Sequence, residues 1–424
     1  MSLVIGIDVG TSGVRAAACG PDGLPVAIES VSLPRPVDRD GRTEQDPRLW
    51  WDAASQALRA LLGRIDRAAL RAIAVDGTSG TVLAIDRSGS PLAPGRLYND
   101  KGAVAAAARI GAVAPPGSGA HGATSGLAKA LELAAEAMPH RILHQADWIA
   151  GCLTGRFDVT DENNALKTGY DPVARSWPDW IDSLGFDRGL LPSVVEPGSP
   201  LGEVRADHAQ ALGLPAGVIV AAGTTDGCAS FLATGADAVG DAVTALGSTL
   251  TLKVLSASPI FDPKAGIYSH RLGDRWLAGG ASNTGGAVLA AHFSAERMRD
   301  LEDRLDPDRE TGLDYYPLLR PGERFPIADA AQPPRLDPRP DDDALFFQGL
   351  LEGIARVEAL GYRRLAELGG PATHRVLTVG GGARNEAWTR IRRRLLGTEI
   401  VAAPSEDAAV GTARLARMGL ERTG

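Results

Sequence analysis

Two aspartates stand where a carboxylate can act on a ligand. Asp226 lies in VIVAAGTTDGCASFLATGA, after an apolar run from Val218 to Ala222 and a Gly223-Thr224-Thr225 turn, at the mouth of a small-residue helix. An aspartate there can cap the helix, because its oxygen accepts from the free N–H groups of the first turn. It can also serve as a general base toward a ligand held against the turn. Asp8 closes the apolar strand of LVIGIDVGTSGVRAAAC, next to Gly10-Thr11-Ser12-Gly13. An acid among valine, isoleucine and glycine needs a partner. Mg²⁺ with its water shell is one, since such sites use one or two carboxylates plus phosphate oxygens; the N–H groups of its own turn are another.

The glycines around Asp8 suggest a second kind of chemistry. Gly-Thr-Ser turns at strand ends present backbone N–H groups and small hydroxyls to an anion. The design recurs in DAVTALGSTLTLKVLS, with Gly247-Ser248-Thr249 at the tip. Two hairpins so far apart suggest two similar domains. No GxxxxGK[ST] is present, so this is not a P-loop protein. No GxGxxG lies between a first strand and a helix; VGGGARNEAW is the nearest imitation. A Gly-x-Ser-x-Gly elbow and an HExxH are likewise missing.

The elements that must position these residues follow from periodicity. DPRLWWDAASQALRALLGRI is amphipathic, with Asp46-Pro47 as cap and first turn. LRAIAVDGTSGTVLAID reads as strand, tight turn, strand, and SGLAKALELAAEAM as a helix. DALFFQGLLEGIARVEALGYRRLAEL is the longest helix; HRVLTVGGGARNEAWTRIRRRLLG is strand, triple glycine, helix; EDAAVGTARLARMGL is a last helix. Mixed strands and helices in this order indicate an α/β fold. The Pro-, Asp- and Arg-rich stretch from Asp306 to Asp343 reads as a long surface connection. The boundary falls near Gly235 to Gly240, giving domains 1–236 and 237–424.

Bulk properties narrow the partners. A chain of 424 residues with 44% hydrophobic and 23% charged residues has material for two domains with ample cores. Net charge is −8, and the basic run Arg392-Arg393-Arg394 is too short for a nucleic-acid footprint and reads as a helix face. Cys19, Cys152 and Cys228 fit neither a disulfide framework nor a zinc spacing, which points to a reducing, cytoplasmic setting. The opening MSLVIGIDVG has no basic n-region and interrupts its apolar run with Asp8, so neither a signal peptide nor a membrane span is expected.

Taken in order along the chain, the motifs resemble the FGGY carbohydrate kinases, within the actin/hexokinase-like ATPase superfamily. IGIDVGTSGVRA is similar to the first phosphate hairpin of that family, HQADWIAGCLTGRFDVTDENNALKTGYDPVARSW to its Asp…LTG…TD…Trp stretch, AAGTTDG to its catalytic aspartate motif, TALGSTLTL to its second phosphate hairpin, YYPLLRPGERFPIAD to its PGER-P stretch and LTVGGGARNEAWTRI to its adenosine motif. The resemblance implies two ribonuclease H-like α/β domains with an active-site cleft between them, ATP and Mg²⁺ as cofactors, a small-molecule sugar as substrate, no nucleic-acid or membrane partner, and a monomer or homodimer. It implies that Asp226 is the general base on a sugar hydroxyl. Asp8 holds Mg²⁺ or its waters and touches the sugar. Thr11, Ser12, Gly247, Ser248 and Thr249 hold the β- and γ-phosphates. Gly381, Gly382 and Asn385 line the adenosine pocket, with Gly285 and Gly286 close to the nucleotide. Trp388 is either a wall for the base or a core residue beside Ile391 and Leu395.

The sugar is expected against AVDGTSGTVLAID and GRLYND. Many xylulokinases carry a Gly-Gln-Met-His/Gln-Gly-like turn at the first place; here it is Gly77-Thr78-Ser79-Gly80-Thr81. Small hydroxyl side chains, the YND stretch and the short chain resemble compact D-ribulose kinases of the family. Ser79, Tyr98 and Asp100 are the expected sugar contacts beside Asp8 and Asp226, with simple turn chemistry the other reading of Ser79. D-ribulose is therefore the expected acceptor, with D-xylulose or another polyol or ketose the alternative, and a non-catalytic nucleotide-binding protein on the same actin-like fold the reading of a different class, against which Asp226 in GTTDG argues. The chain departs from longer members in its length and in carrying Tyr98 where they have Trp.

Overall fold

The computed structural model describes residues 2–423. The chain divides into two compact units. One comprises the chain up to Ala233, the short stretch His270–Gly273 and the chain from Asp407 onward; the other comprises Thr234–Ser269 and Asp274–Glu406.

The first unit is built on β1 (Leu3–Val9), a strand buried along its length except at Asp8. It pairs antiparallel with β2 (Gly13–Cys19), which pairs with β3 (Pro25–Ser32). On its other side it pairs parallel with β4 (Leu70–Gly77). The sheet continues through β6 (Ile219–Ala221) and ends at β5 (Pro200–Glu203). Both faces of β1, β4 and β6 are covered, which is why these three read as apolar runs, whereas β3 and β5 at the edges are largely exposed. Ile5, Ile7 and Val9 meet Trp50, Leu58 and Leu61 of α1 (Pro47–Leu62), whose start is capped by the Asp46 side chain. Two further helices bear on the site: α2 (Gln145–Thr154) and the short α3 (Glu162–Leu166), ended by Lys167. After β6 the chain enters α4 (Asp226–Ala233).

The second unit repeats the plan. β7 (Asp241–Leu246) and β8 (Leu250–Ser256) form an antiparallel hairpin, and β9 (Arg275–Ser282) extends it beyond β8. β7 also pairs parallel with β10 (Arg375–Val379), which pairs parallel with β11 (Glu399–Ala402). Helices α5 (Gly286–His292), α6 (Asp343–Glu367) and α7 (Glu386–Leu396) belong to this unit. The stretch between Asp306 and Asp343 corrects the expectation of a surface connection: it lacks long regular elements, yet Tyr315, Tyr316, Leu318 and Phe325 are buried in this unit's core. Composition misleads here because the prolines and charges occupy turns between the buried aromatics.

The triple-arginine run is also resolved differently. Arg392 is fully buried, and its Nε and Nη2 donate to Glu358 at 2.7 Å each. Nη1 reaches Thr378 Oγ1 of β10 at 2.9 Å, and Thr244 Oγ1 of β7 donates to Glu358 at 2.6 Å. A fork-to-fork ion pair with its remaining donors satisfied ties α6 and α7 to the two strands that end at the glycine turns.

The last helix, α8 (Ala408–Glu421), packs in the first unit, whereas the sequence boundary assigned it to the second. Close approach explains this. A Cβ on Gly6 would lie 2.0 Å from Ala409 O, and one on Gly411 would lie 1.8 Å from Ala229 O. Glycine at both positions lets α8 seat directly on β1 and α4, with Val4, Ala72, Ala74, Ala409, Val410 and Ala413 in one apolar cluster.

Candidate active site

Side chains alternate along a strand, so Asp8 shares its face of β1 with Val4 and Gly6, the face that α8 covers. The register sets Asp8 opposite Asp76 of β4 on one side and Arg15 of β2 on the other. Asp76 is completely buried; Thr412 Oγ1 of α8 donates to its Oδ2, and Oδ1 finds no donor among the described residues. Burial raises the Asp76 carboxyl well above the usual carboxylate range, helped by the charge of Asp8. Burial likewise lifts Asp8 to about 6, with Asp226 and Asp407 adding to the rise. The two acids are therefore held as a pair that resists carrying two negative charges.

Asp226 joins this cluster through the backbone. A Cβ on Gly223 would lie 1.6 Å from Val75 O, so only glycine lets the chain leaving β6 cross the end of β4. Thr225 then bridges to Gly77. The Thr225 carbonyl accepts from Cys228 and Ala229, so Thr225 begins the helix and Asp226 is its first helical residue. Asp226 Oδ1 accepts from Gly227 N at 2.7 Å. Asp226 is thus partly exposed at the positive end of α4, where the helix favours a carboxylate.

The expected sugar turn follows β4. Thr78 N and Thr78 Oγ1 both donate to Gln145 Oε1 at 3.0 Å, and Thr78 Oγ1 lies 2.6 Å from Thr81 Oγ1. Ser79 Oγ is buried with no partner among the described residues. Lys167 lays its stem against Gly80 and points Nζ at Ser79 O, 3.4 Å away. Tyr98 is 46% exposed. Asp100 is fully buried and spent on backbone donors, Thr43 N at 2.9 Å and Gly102 N at 3.0 Å. Thr11 and Ser12 lie at the tip of the first hairpin, where Gly10 N donates to Gly13 O, Thr11 half-buried and Ser12 exposed.

In the second unit, Gly247, Ser248 and Thr249 are exposed at the tip of the β7–β8 hairpin. Gly286 N and Ala287 N donate to the carbonyls of Gly247 and Ser248. Gly285, at φ +138°, would carry a Cβ 2.8 Å from Ser248 O, so close approach accounts for it. Gly381 and Gly382 form a short 3₁₀ turn after β10. Asn385 caps α7, its Oδ1 accepting from Trp388 N at 2.7 Å. Trp388 is 3% exposed and donates to Leu351 O, which makes it a core residue.

Asp76, Thr412, Gln145 and Lys167 were not among the residues singled out from the sequence. Asp76 carried the same signal as Asp8, an acid ending an apolar strand. Thr412 carried none, since its partner is more than three hundred residues away.

Both units share one plan, an antiparallel hairpin flanked by parallel strands, each opening on a glycine–hydroxyl turn. The chain belongs to the FGGY family of carbohydrate kinases: the N-terminal domain of that family matches residues 3–113 and 130–233, and the C-terminal domain matches residues 242–420. It is 28% identical over 469 aligned positions to the autoinducer-2 kinase of Yersinia pestis (strain Pestoides F), covering 98% of this chain and 86% of that one. The xylulose kinase of Streptomyces rubiginosus is 29% identical, with 97% and 86% covered. Among solved structures, a xylulose kinase from Brucella ovis superposes with a TM-score of 0.87 at 25% identity, over 99% of this chain and 91% of that one. No described helix is long and apolar enough to cross a membrane.

Proposed function

We propose that this kinase phosphorylates a pentulose, D-ribulose first, to D-ribulose 5-phosphate, with Asp226 as general base. The observation that carries the reading is the Gly77–Thr81 turn, which bridges to Thr225 beside Asp226 and holds a buried, unpartnered Ser79 hydroxyl. A turn of small hydroxyls leaves room for a polyol and offers it both donors and acceptors. Asp226 accepts the proton of the terminal sugar hydroxyl as that oxygen bonds to the γ-phosphorus of ATP. The bond from phosphorus to the β,γ-bridging oxygen breaks, and ADP leaves. In the second unit, the exposed Gly247–Thr249 turn offers N–H groups and hydroxyls to phosphates, and Gly381, Gly382 and Asn385 border the adenosine; in the first, the half-buried Gly10 and Thr11 and the exposed Ser12 offer the same groups.

The donor set fits Mg²⁺. No group of three or more His, Cys, Asp or Glu side chains among the described residues forms a closed metal cage. Mg²⁺ bound with nucleotide needs only one or two carboxylates, and Asp8, a half-buried acid facing its like-charged neighbours, would supply one. When bound, the ion neutralises charge on the phosphate oxygens.

A second reading, a kinase for D-xylulose or a related small hydroxyketone, is favoured by the names of the two relatives. A coupled ADP-release assay with ATP and Mg²⁺ across D-ribulose, D-xylulose, L-ribulose, autoinducer-2 and glycerol tests both. The highest kcat/KM is expected for D-ribulose. A preference for another acceptor would mean that the hydroxyl turn does not select the sugar.

A further inference from the structure

Three side chains around the Gly77–Thr81 turn have hydrogen-bonding capacity that the protein leaves unused. Gln145 is 1% exposed. Its Oε1 takes two donors from Thr78, which settles which end of the amide is oxygen. The other end, Nε2, carries two donors and finds no acceptor among the described residues. Because the two atoms share one amide, Nε2 lies beside the same turn. Lys167, against the same turn, has three ammonium donors; among the described residues one is spent, at 3.4 Å, on Ser79 O. Ser79, in the same turn, has an unpartnered Oγ among the described residues. Buried polar atoms of folded proteins are almost always paired, so a cluster of spare donors marks a place built for an oxygen-rich ligand.

Lys167 has a further constraint. Burial lowers its pKa, and the carboxylate of Asp226 acts against that fall, so the ammonium lies within electrostatic reach of the candidate base. A cation there serves an oxygen close to the hydroxyl being deprotonated, and its stem is kept in place by contact with Gly80.

We propose that Gln145 and Lys167 are sugar-contact residues, donating to hydroxyl or carbonyl oxygens of the bound ketose on either side of Ser79. This deepens the functional reading and rests on it in one respect, that the turn faces the sugar. Donors of this kind discriminate strongly, because a substrate lacking the matching oxygen leaves them unpaired.

The test uses the full-length enzyme and the acceptor that it phosphorylates best. Gln145→Glu keeps an acceptor toward Thr78, replaces the Nε2 donors with an acceptor oxygen and adds a charge, and Gln145→Leu removes the donors without a charge. Lys167→Met keeps the stem and removes the charge. Each is expected to raise the sugar KM at least tenfold, with kcat and the ATP KM changed less than threefold. Lys167→Arg is expected to recover part of the loss. Monodeoxy analogues of the acceptor complete a double-mutant cycle. An analogue that costs the wild type tenfold in kcat/KM is expected to cost the matching variant less than twofold. Unchanged sugar KM in these variants, or a deoxy penalty as large in the variants as in the wild type, overturns the proposal. Should any variant lower Tm enough to blur the kinetics, Gln145→Asn and Lys167→Gln carry the same cycle. If D-xylulose or glycerol proves the better acceptor, the D-ribulose reading fails while the cycle still decides the donors. If no ketose or polyol binds, both fall together.

Discussion

The two hairpins share a scaffold and differ in what lies beneath them. In the first unit, β1 runs parallel to β4 and places Asp8 opposite Asp76. In the second, β7 runs parallel to β10 and places Ala245 opposite Val379. One residue before the acid of the first hairpin is buried Ile7; one residue before Ala245 is Thr244, which hands its hydroxyl to the Arg392–Glu358 pair. The helices after the last parallel strand compare the same way. Asp226 follows Ala221 at the spacing with which Asp407 follows Ala402. Yet Asp407 Oδ1 caps α8 and Oδ2 binds Arg15 at 3.1 Å, whereas Asp226 Oδ1 accepts from Gly227 N beside it. The first unit thus stores like charges under its hairpin. The second stores a matched pair. Repulsion among poorly neutralised acids is the condition in which a metal ion or a proton is welcome; a neutral floor is the condition in which phosphate oxygens are tolerated.

The largest effect that can break this comparison comes from exchanging the two aspartates for their amides. Asp226→Asn should lower kcat by about 10²- to 10⁴-fold, the range for loss of a general base. Asp407→Asn should lower it by less than about tenfold, since its carboxylate is already engaged. ADP-release kinetics, with nucleotide binding followed separately, decide it; comparable losses in both would erase the distinction.

Next in size is stability. Arg392→Met leaves Glu358 buried without its cation and should cost about 3–5 kcal/mol in denaturant unfolding. The opposite sign is expected under the first hairpin. A carboxyl whose folded pKa is raised stabilises the fold fully below its unfolded pKa and loses that contribution as pH rises through the folded value. For Asp8 the window runs from the ordinary carboxylate value of 3.8 to about 6. Asp8→Asn should therefore stabilise the Mg²⁺-free protein above pH 6, by about 1–3 kcal/mol, with no such gain at pH 3.5. Thermal melts across pH read this directly, and a destabilised variant at pH 7.5 would show that Asp8 is not held against repulsion.

The smallest effect sharpens the contrast from the other side. Ala245→Asp gives the second hairpin the acid of the first. Nucleotide affinity should fall about tenfold, from like-charge repulsion with the phosphates. Fluorescent-nucleotide titration measures it. Unchanged affinity would remove the Gly247–Thr249 turn from the phosphate site.

Much of this was legible in the chain itself, because the signals were local. Glycine–hydroxyl turns, the apolar run of β1, the Asp46-Pro47 start of α1 and the GTTDG approach to α4 each depend on a few neighbouring residues, and so does the two-unit α/β order that they compose. Three decisions were left to packing. Whether Arg392 faces water or Glu358 depends on a helix that precedes it by more than twenty residues. The unit to which α8 belongs depends on Gly6 meeting the backbone of Ala409 and on Gly411 meeting that of Ala229, both far away in sequence. That Asp76 stands beside Asp8, held by Thr412, follows from strand register and from α8 together. Local conformational preference is written over a few residues and can be read there. The pairing of buried charges is set by which surfaces meet, and only the folded chain brings those surfaces into contact.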